Sequence, residues 1–217
     1  MRIVDFTHII EPTMPVYPGT EPPHLTAANT YEKDGFRETL LEIYSHTGTH
    51  MDAPAHIIPG RPTLDALPTE RFVGKALVID CSCVTEGEIL TMAHLAAIRE
   101  KADRADFLLF RTGWDCFWGR EEYFGSYPVI GPDVVEYLIE TGKKGVGLDV
   151  ISVDAMGAEL PNHRRLLEAG VLIMENLKGL EQAGDGIFTF CALPLHYGDA
   201  DGAPIRAIGI LDSILAD

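Results

Sequence analysis

Three histidines and an aspartate fall within the segment His46-Thr-Gly-Thr-His50-Met-Asp52-Ala-Pro-Ala-His56. Imidazole nitrogens and a carboxylate together suit zinc, and also manganese, iron or nickel. All four residues hold even positions, as do Gly48 and Pro54, and an extended chain puts alternate residues on one face. That face would carry every ligand candidate. A straight strand would separate His46 from His50 by roughly 13 Å. Both rings could then hardly reach one ion at about 2.0–2.1 Å, so the chain must curl between them. Gly48, the two threonines and Pro54 disfavour a regular helix. The segment therefore reads as a strand end entering a tight turn at Gly48. His50 and Asp52, about 6.6 Å apart if extended, could share an ion without further bending. The plainer reading is a set of surface or hydrogen-bonded histidines, but three of the chain's eight clustered here argue against it.

Other catalytic arrangements are missing from the sequence. It contains no G-x-S-x-G and no H-E-x-x-H. Ser45 beside His46 is not a triad by itself. The glycines of Gly142-Lys-Lys-Gly-Val-Gly147 precede a strand and read as a helix stop. Trp114, Phe117 and Trp118 form an aromatic group that is either core or interface, or else a pocket wall. Trp114 is the substrate-contact candidate among them. His196 and Tyr197 read as a solvated loop before Asp199 and Asp201. His8 is either a core hydrogen-bonding group or a pocket lining, and Arg206 reads as the partner of a buried acid.

The elements that must position these residues alternate in type. Met14-Pro-Val-Tyr-Pro-Gly19 is a turn signature. Thr39–Tyr44 reads as a strand leading into the histidine segment, and Gly74–Asp80 has the unbroken apolar run of a buried strand. Thr91–Lys101 is a helix by its spacing, and Phe107–Phe110 a strand. Pro132–Glu140 is a helix with Pro in its first turn and Gly142 just past its end. Gly145–Asp149 and Val171–Met174 are strands, with a short helix around Leu166 and Leu167 stopped by Gly170. This alternation predicts an α/β domain with a mixed sheet, some of it parallel, and antiparallel strands near the N-terminus. No linker or repeat interrupts it, so residues 1–217 read as one domain.

The composition narrows the partners. Thirty-three acidic residues against 17 basic give a net charge of −16. Such a surface repels phosphate backbones, which argues against nucleic acid as a partner. No run approaches the roughly 20 apolar residues of a membrane span, and Asp5 interrupts any signal-peptide pattern. The four cysteines read as ordinary buried thiols. A cytoplasmic setting and a small-molecule substrate are the expectation.

The segment 46–56 resembles the H-x-G-T-H-x-D-x-P-x-H signature of the metal-dependent cyclase-like hydrolases, the family of bacterial kynurenine formamidase and isatin hydrolase. The likeness continues through Asp5-Phe-Thr-His8, Met14–Gly19, Arg111-Thr-Gly-Trp114, Gly147-Leu-Asp149 and Ser152-Val-Asp154. His163 and Glu175, twelve residues apart, match the family's second ligand pair, and Leu193-Pro-Leu195 and Asp201–Arg206 its closing stretch. Read from the residues alone, His163 opens a short helix and Glu175 ends a strand, where α/β folds commonly present functional groups.

The resemblance implies a swivelling-type β/α/β domain assembled as a homodimer or homotetramer. It implies that His46, His50 and Asp52 bind one metal, and that Asp52, His163 and Glu175 complete a second or shared site. The metal would be Zn²⁺ or Mn²⁺, one or two ions per subunit. His56 would stay off the metal as acid/base. Tyr17 would contact substrate, at a position where kynurenine formamidases usually carry Trp. The implied activity is cleavage of a non-peptide C–N bond in an arylformamide, other small amide or lactam. The alternatives are a lactone or cyclic-ester hydrolase, and a metal-binding protein without catalysis.

Overall fold

A computed structural model describes residues 1–211 of the chain. Its strands, in chain order, are β1 (Arg2–Asp5), β2 (His24–Asn29), β3 (Glu38–Glu42), β4 (His50–Asp52), β5 (Val73–Asp80), β6 (Ile89–Leu90), β7 (Phe107–Arg111), β8 (Val129–Ile130), β9 (Gly145–Leu148), β10 (Leu172–Glu175), β11 (Phe188–Pro194) and β12 (Gly202–Leu211). The α-helices are α1 (Tyr31–Asp34), α2 (Arg99–Arg104), α3 (Pro132–Glu140) and α4 (Pro161–Glu168).

The main sheet runs β1-β12-β11-β5-β7-β9-β10-β4. Its centre, β5-β7-β9-β10, is parallel. Its flanks are antiparallel, with β11 against β5 and β12, and β1 against β12. The expected mixed α/β sheet with antiparallel N-terminal strands is what forms. Short β4 pairs antiparallel with both β10 and β12 and so joins the sheet's two ends.

Strand period sets the two cores. Leu77, Ile79, Leu108 and Phe110 point to one face and meet Val134, Val135 and Leu138 of α3 and Leu166 and Leu167 of α4. Their neighbours Ala76, Val78, Phe107 and Leu109 point the other way, against Met51, Met174, Phe190 and Phe6. Met51 is fully buried there. The alternation that buries Met51 turns His50 and Asp52 to the opposite face of β4.

Several elements differ from the sequence reading. The stretch expected as one helix over Thr91–Lys101 is a 3₁₀ segment, Met92–Ile98, followed by α2. The strand expected over Thr39–Tyr44 ends at Glu42 and lies outside the main sheet. It forms a separate ribbon with β2 in which every β3 residue is exposed. Of the cysteines expected as buried thiols, Cys81 is buried, whereas Cys83 and Cys116 are exposed and Cys191 is intermediate. Arg206 pairs with Asp5 at the surface. No helix among the described residues is long and apolar enough to cross a membrane.

Candidate metal centre

The curl expected between His46 and His50 is real. Gly48 adopts φ +65, a left-handed conformation that glycine tolerates best. The turn brings the two imidazole rings to 5.1 Å between centroids. Three hydrogen bonds hold it in place. Asn176 Nδ2 donates to Gly48 O at 2.8 Å, Thr49 Oγ1 donates to Asn176 O at 2.6 Å, and Tyr123 Oη donates to Asn176 Oδ1 at 2.7 Å. Asn176 is itself left-handed, at φ +56, a region that asparagine visits more readily than most residues.

Strand register assembles the rest. Glu175, ending β10, lies directly opposite His50 of β4. Gly202, opening β12, lies opposite Asp52 on the other side. A side chain at 202 would collide with the His46 ring, so that imidazole lies against bare backbone. α4 delivers His163 from a third direction. Pro54 turns the chain after β4, and the 3₁₀ segment Pro54–His56 swings His56 back over the cluster.

Around Asp52 the donor atoms converge. Its Oδ1 is 2.8 Å from His46 Nδ1 and 3.3 Å from His50 Nε2. Its Oδ2 is 3.5 Å from His163 Nε2. Glu175 stands 3.5 Å from His50 Nε2 and 3.3 Å from His163 Nε2. Three candidate ligand sets result among the described residues: His46–His50–Asp52 and Asp52–His163–Glu175, which share Asp52, and the less buried His46–His56–Asp201. Ligands around a tetrahedral ion at about 2.0–2.1 Å stand roughly 3.3 Å apart, which matches the separations of 3.3–3.5 Å, while the 2.8 Å His46–Asp52 contact is a hydrogen bond.

Each histidine is oriented through its other nitrogen. His50 Nδ1 is 2.8 Å from Gly48 O, His163 Nδ1 is 2.7 Å from Asp154 Oδ2, and His46 Nε2 is 3.1 Å from Asp201 Oδ2. Such anchoring fixes the tautomer and points the free nitrogen at the centre. Asp154 is fixed in turn by the backbone N–H groups of Asn162 and His163. Glu175 accepts a hydrogen bond from Val153 N–H at 3.0 Å.

The electrostatics call for positive charge at this point. Burial alone would push His46 down, but Asp52 and Asp201 outweigh it and raise it to about 9. Burial likewise opposes His163, and its contacts with Asp154, Asp52 and Glu175 raise it to about 12. Burial would raise Asp52, yet His46, His163 and His50 hold it well below the usual carboxylate range. Asp52 Oδ2 is nevertheless buried without a hydrogen-bond partner. Buried polar atoms are rarely left so. A divalent cation would satisfy that oxygen and replace the protons the histidines otherwise attract, so the residues present fit such a group.

The site opens into a cleft of about 470 Å³ whose lining includes Pro15, Val16, Tyr17, Ile151 and Leu160. His46, His50, Asp52, His56, His163, Glu175 and Tyr17 all reach it. Trp114 does not; it lines a separate pocket with Thr112, Phe117 and Glu122. Its indole is buried on the helical side of the sheet, donating from Nε1 to Tyr123 O at 3.1 Å. His8 is also elsewhere, stacked on Trp118 at 3.7 Å. His196 is exposed, as a solvated loop residue would be. Asp154, Asn176 and Asp201 are the site residues that sequence reasoning left without a role.

A mixed α/β fold with buried imidazoles and carboxylates converging in an open cleft defines a metal-dependent hydrolase type of site. The comparisons agree. Residues 4–155 match the family model described as "Putative cyclase", and the chain belongs to that family. It is 30% identical over 211 residues to a kynurenine formamidase of Salinibacter ruber, covering 96% of this chain and 97% of that protein. Isatin hydrolase A from Ralstonia solanacearum superposes with a TM-score of 0.85 at 27% identity, covering 97% and 92% of the two chains. A structure described as a potential metal-dependent hydrolase with cyclase activity superposes with a TM-score of 0.78 at 27% identity, covering 96% of each chain.

Proposed function

We propose that this chain is a divalent-metal-dependent hydrolase that cleaves the C–N bond of a small amide, an arylformamide or a lactam, with His56 as the acid/base. The observation that carries this reading is the buried, unpartnered Asp52 Oδ2 between two sets of histidine and carboxylate donors. The kynurenine formamidase and isatin hydrolase relatives support the C–N bond as the target. Three imidazoles with two carboxylates suit zinc or manganese, and the shared Asp52 allows one ion or two.

A bound cation supplies Lewis acidity for polarising the substrate carbonyl and lowering the pKa of a water. His46, His50, Asp52, His163 and Glu175 would hold it. His56 stands off the centre, its ring 4.0 Å from that of His46 and 6.4 Å from that of His163. Burial lowers its pKa, and although Asp52 opposes the shift, His46 and His163 reinforce it. The ring is therefore neutral near pH 7 and ready to take a proton. Amide cleavage also needs a proton on the leaving nitrogen, which the same ring can return. Tyr17, with Pro15, Val16, Ile151 and Leu160 in the same lining, would seat the organic part of the substrate.

For quaternary structure we propose a second copy of this chain against the β2–β3 ribbon. A lone two-stranded ribbon is marginally stable in water, and this one exposes 61% of Leu40 and 57% of Leu41. The ribbon leads directly into Tyr44 and Ser45 of the cleft wall. Light scattering tests it: a dimer or tetramer that falls apart in Leu40→Glu/Leu41→Glu supports it, and a monomeric wild type removes it. The unpaired cysteines among the described residues support a cytoplasmic setting.

The functional reading is tested by screening metal-loaded protein against N-formylkynurenine, isatin and simple lactones. Turnover of an amide or lactam above that of any ester is expected. Preferential lactone turnover would move the assignment to ester hydrolysis, and bound metal with no turnover would indicate a metal-binding protein.

A further inference from the structure

We propose that Asp201 is the positioning residue that ties His46, on the metal side, to His56, on the proton side. This inference rests on the functional reading above. Asp201 Oδ2 lies 3.1 Å from His46 Nε2 and 3.7 Å from His56 Nδ1. One carboxylate oxygen thus faces both imidazoles.

Its place in the fold is fixed. Asp201 immediately precedes β12, and its carbonyl accepts the Ala53 N–H at 2.9 Å, so the backbone is pinned to the end of β4. The next residue, Gly202, is the bare surface on which the His46 ring lies. One short stretch of chain therefore seats the ring and anchors its outer nitrogen.

Two consequences follow from the chemistry. Accepting the His46 Nε2–H holds that proton outward and leaves Nδ1 facing Asp52 Oδ1. This is the same task that Gly48 O performs for His50 and Asp154 for His163. Hydrolysis then makes a second demand. Water adds to the amide carbon as one of its protons passes to His56. The proton goes on to the nitrogen as the C–N bond breaks, giving an acid and a free amine. Between those transfers His56 is an imidazolium, and the Asp201 carboxylate beside Nδ1 stabilises that charge and leaves Nε2 to handle the proton.

The test uses Asp201→Asn and Asp201→Glu in the full-length, metal-loaded protein, with two readouts. Zn²⁺ affinity is measured by competition with a chromophoric chelator, which requires no turnover. kcat is measured at saturating Zn²⁺ on formanilide and on 4-nitrophenyl formate, whose phenolate leaves without a proton. Asp201→Asn is expected to weaken Zn²⁺ binding by about 10-fold or more. It should also lower kcat on both the anilide and the activated ester by about 10-fold or more, because taking the water's proton forms the imidazolium with either substrate. Asp201→Glu should recover part of both losses. Unchanged affinity and unchanged turnover would overturn the proposal. Weakened Zn²⁺ binding with unchanged kcat on both substrates at saturating Zn²⁺ would overturn the link to His56. A wild type inactive on both substrates would count against the functional reading instead, and the affinity readout would still decide the role toward His46.

Discussion

The Nε2 of His163 and the Oδ2 of Asp52 stand 3.5 Å apart, both buried, on elements that only the tertiary fold brings together. One arrives on α4 and the other on β4. The gap between them is the spacing of two ligands on one ion rather than that of a hydrogen bond. Asp52 is therefore the residue common to both donor sets, and its loss should disable both. Asp52→Asn or Asp52→Ala should lower bound metal, measured by elemental analysis, and reduce kcat/KM by at least about 100-fold. Near-normal metal content in either variant would contradict the shared-ligand arrangement.

His56 should behave differently. It contacts no carboxylate more closely than 3.7 Å and is assigned the proton rather than the ion. His56→Asn should keep the metal and fold while kcat falls by roughly 10²–10⁴-fold. A variant that keeps most of its turnover would remove His56 from the reaction.

Asp154 orients His163 through a 2.7 Å contact at Nδ1. Asp154→Asn should weaken metal binding by about 10–100-fold. The amide keeps one acceptor oxygen, for the Asn162 N–H, while its NH2 faces the His163 N–H, so the variant should also lose some stability. Unaltered metal affinity would mean that α4 alone aims the ring.

A pH effect on stability arises away from the metal. Burial, with a smaller contribution from Lys178, lowers His8 to about 4. Its Nε2 is buried without a partner. The folded state therefore resists protonation where the unfolded chain, near pH 6.5, accepts it. Stability from this group is complete above about pH 6.5 and falls as the pH drops towards 4. The loss across that window is on the order of 3 kcal/mol. Urea unfolding of wild type and His8→Gln at pH 7.5 and 4.5 checks it: the difference in stability between the two pH values should be smaller in the variant. An equal difference would show that His8 does not titrate across folding.

Much of the centre was legible in sequence because it is local. The even spacing of His50 and Asp52 and the need for a curl at Gly48 follow from strand geometry, and both are found. Glu175 was recognisable as a strand end. Asp201 was not, because its partner His46 lies 155 positions away and only the β4–β12 pairing joins them. β12 itself escaped because Gly202, Pro204 and Gly209 interrupt its alternation. Trp114 shows the opposite limit. An aromatic residue after a strand fits a core or a cleft, and only the tertiary packing sets its ring in the core cluster, at the edge of a second pocket.

The most direct measurement is metal-dependent turnover. Protein stripped with a chelator and dialysed is titrated with Zn²⁺ or Mn²⁺, and formanilide hydrolysis is followed against bound metal. Turnover should be absent in the stripped protein and rise in proportion to bound metal, reaching a plateau at one or two ions per chain. Equal hydrolysis by the stripped protein, or no hydrolysis of any amide or lactam at full loading, would contradict a metal centre built on Asp52.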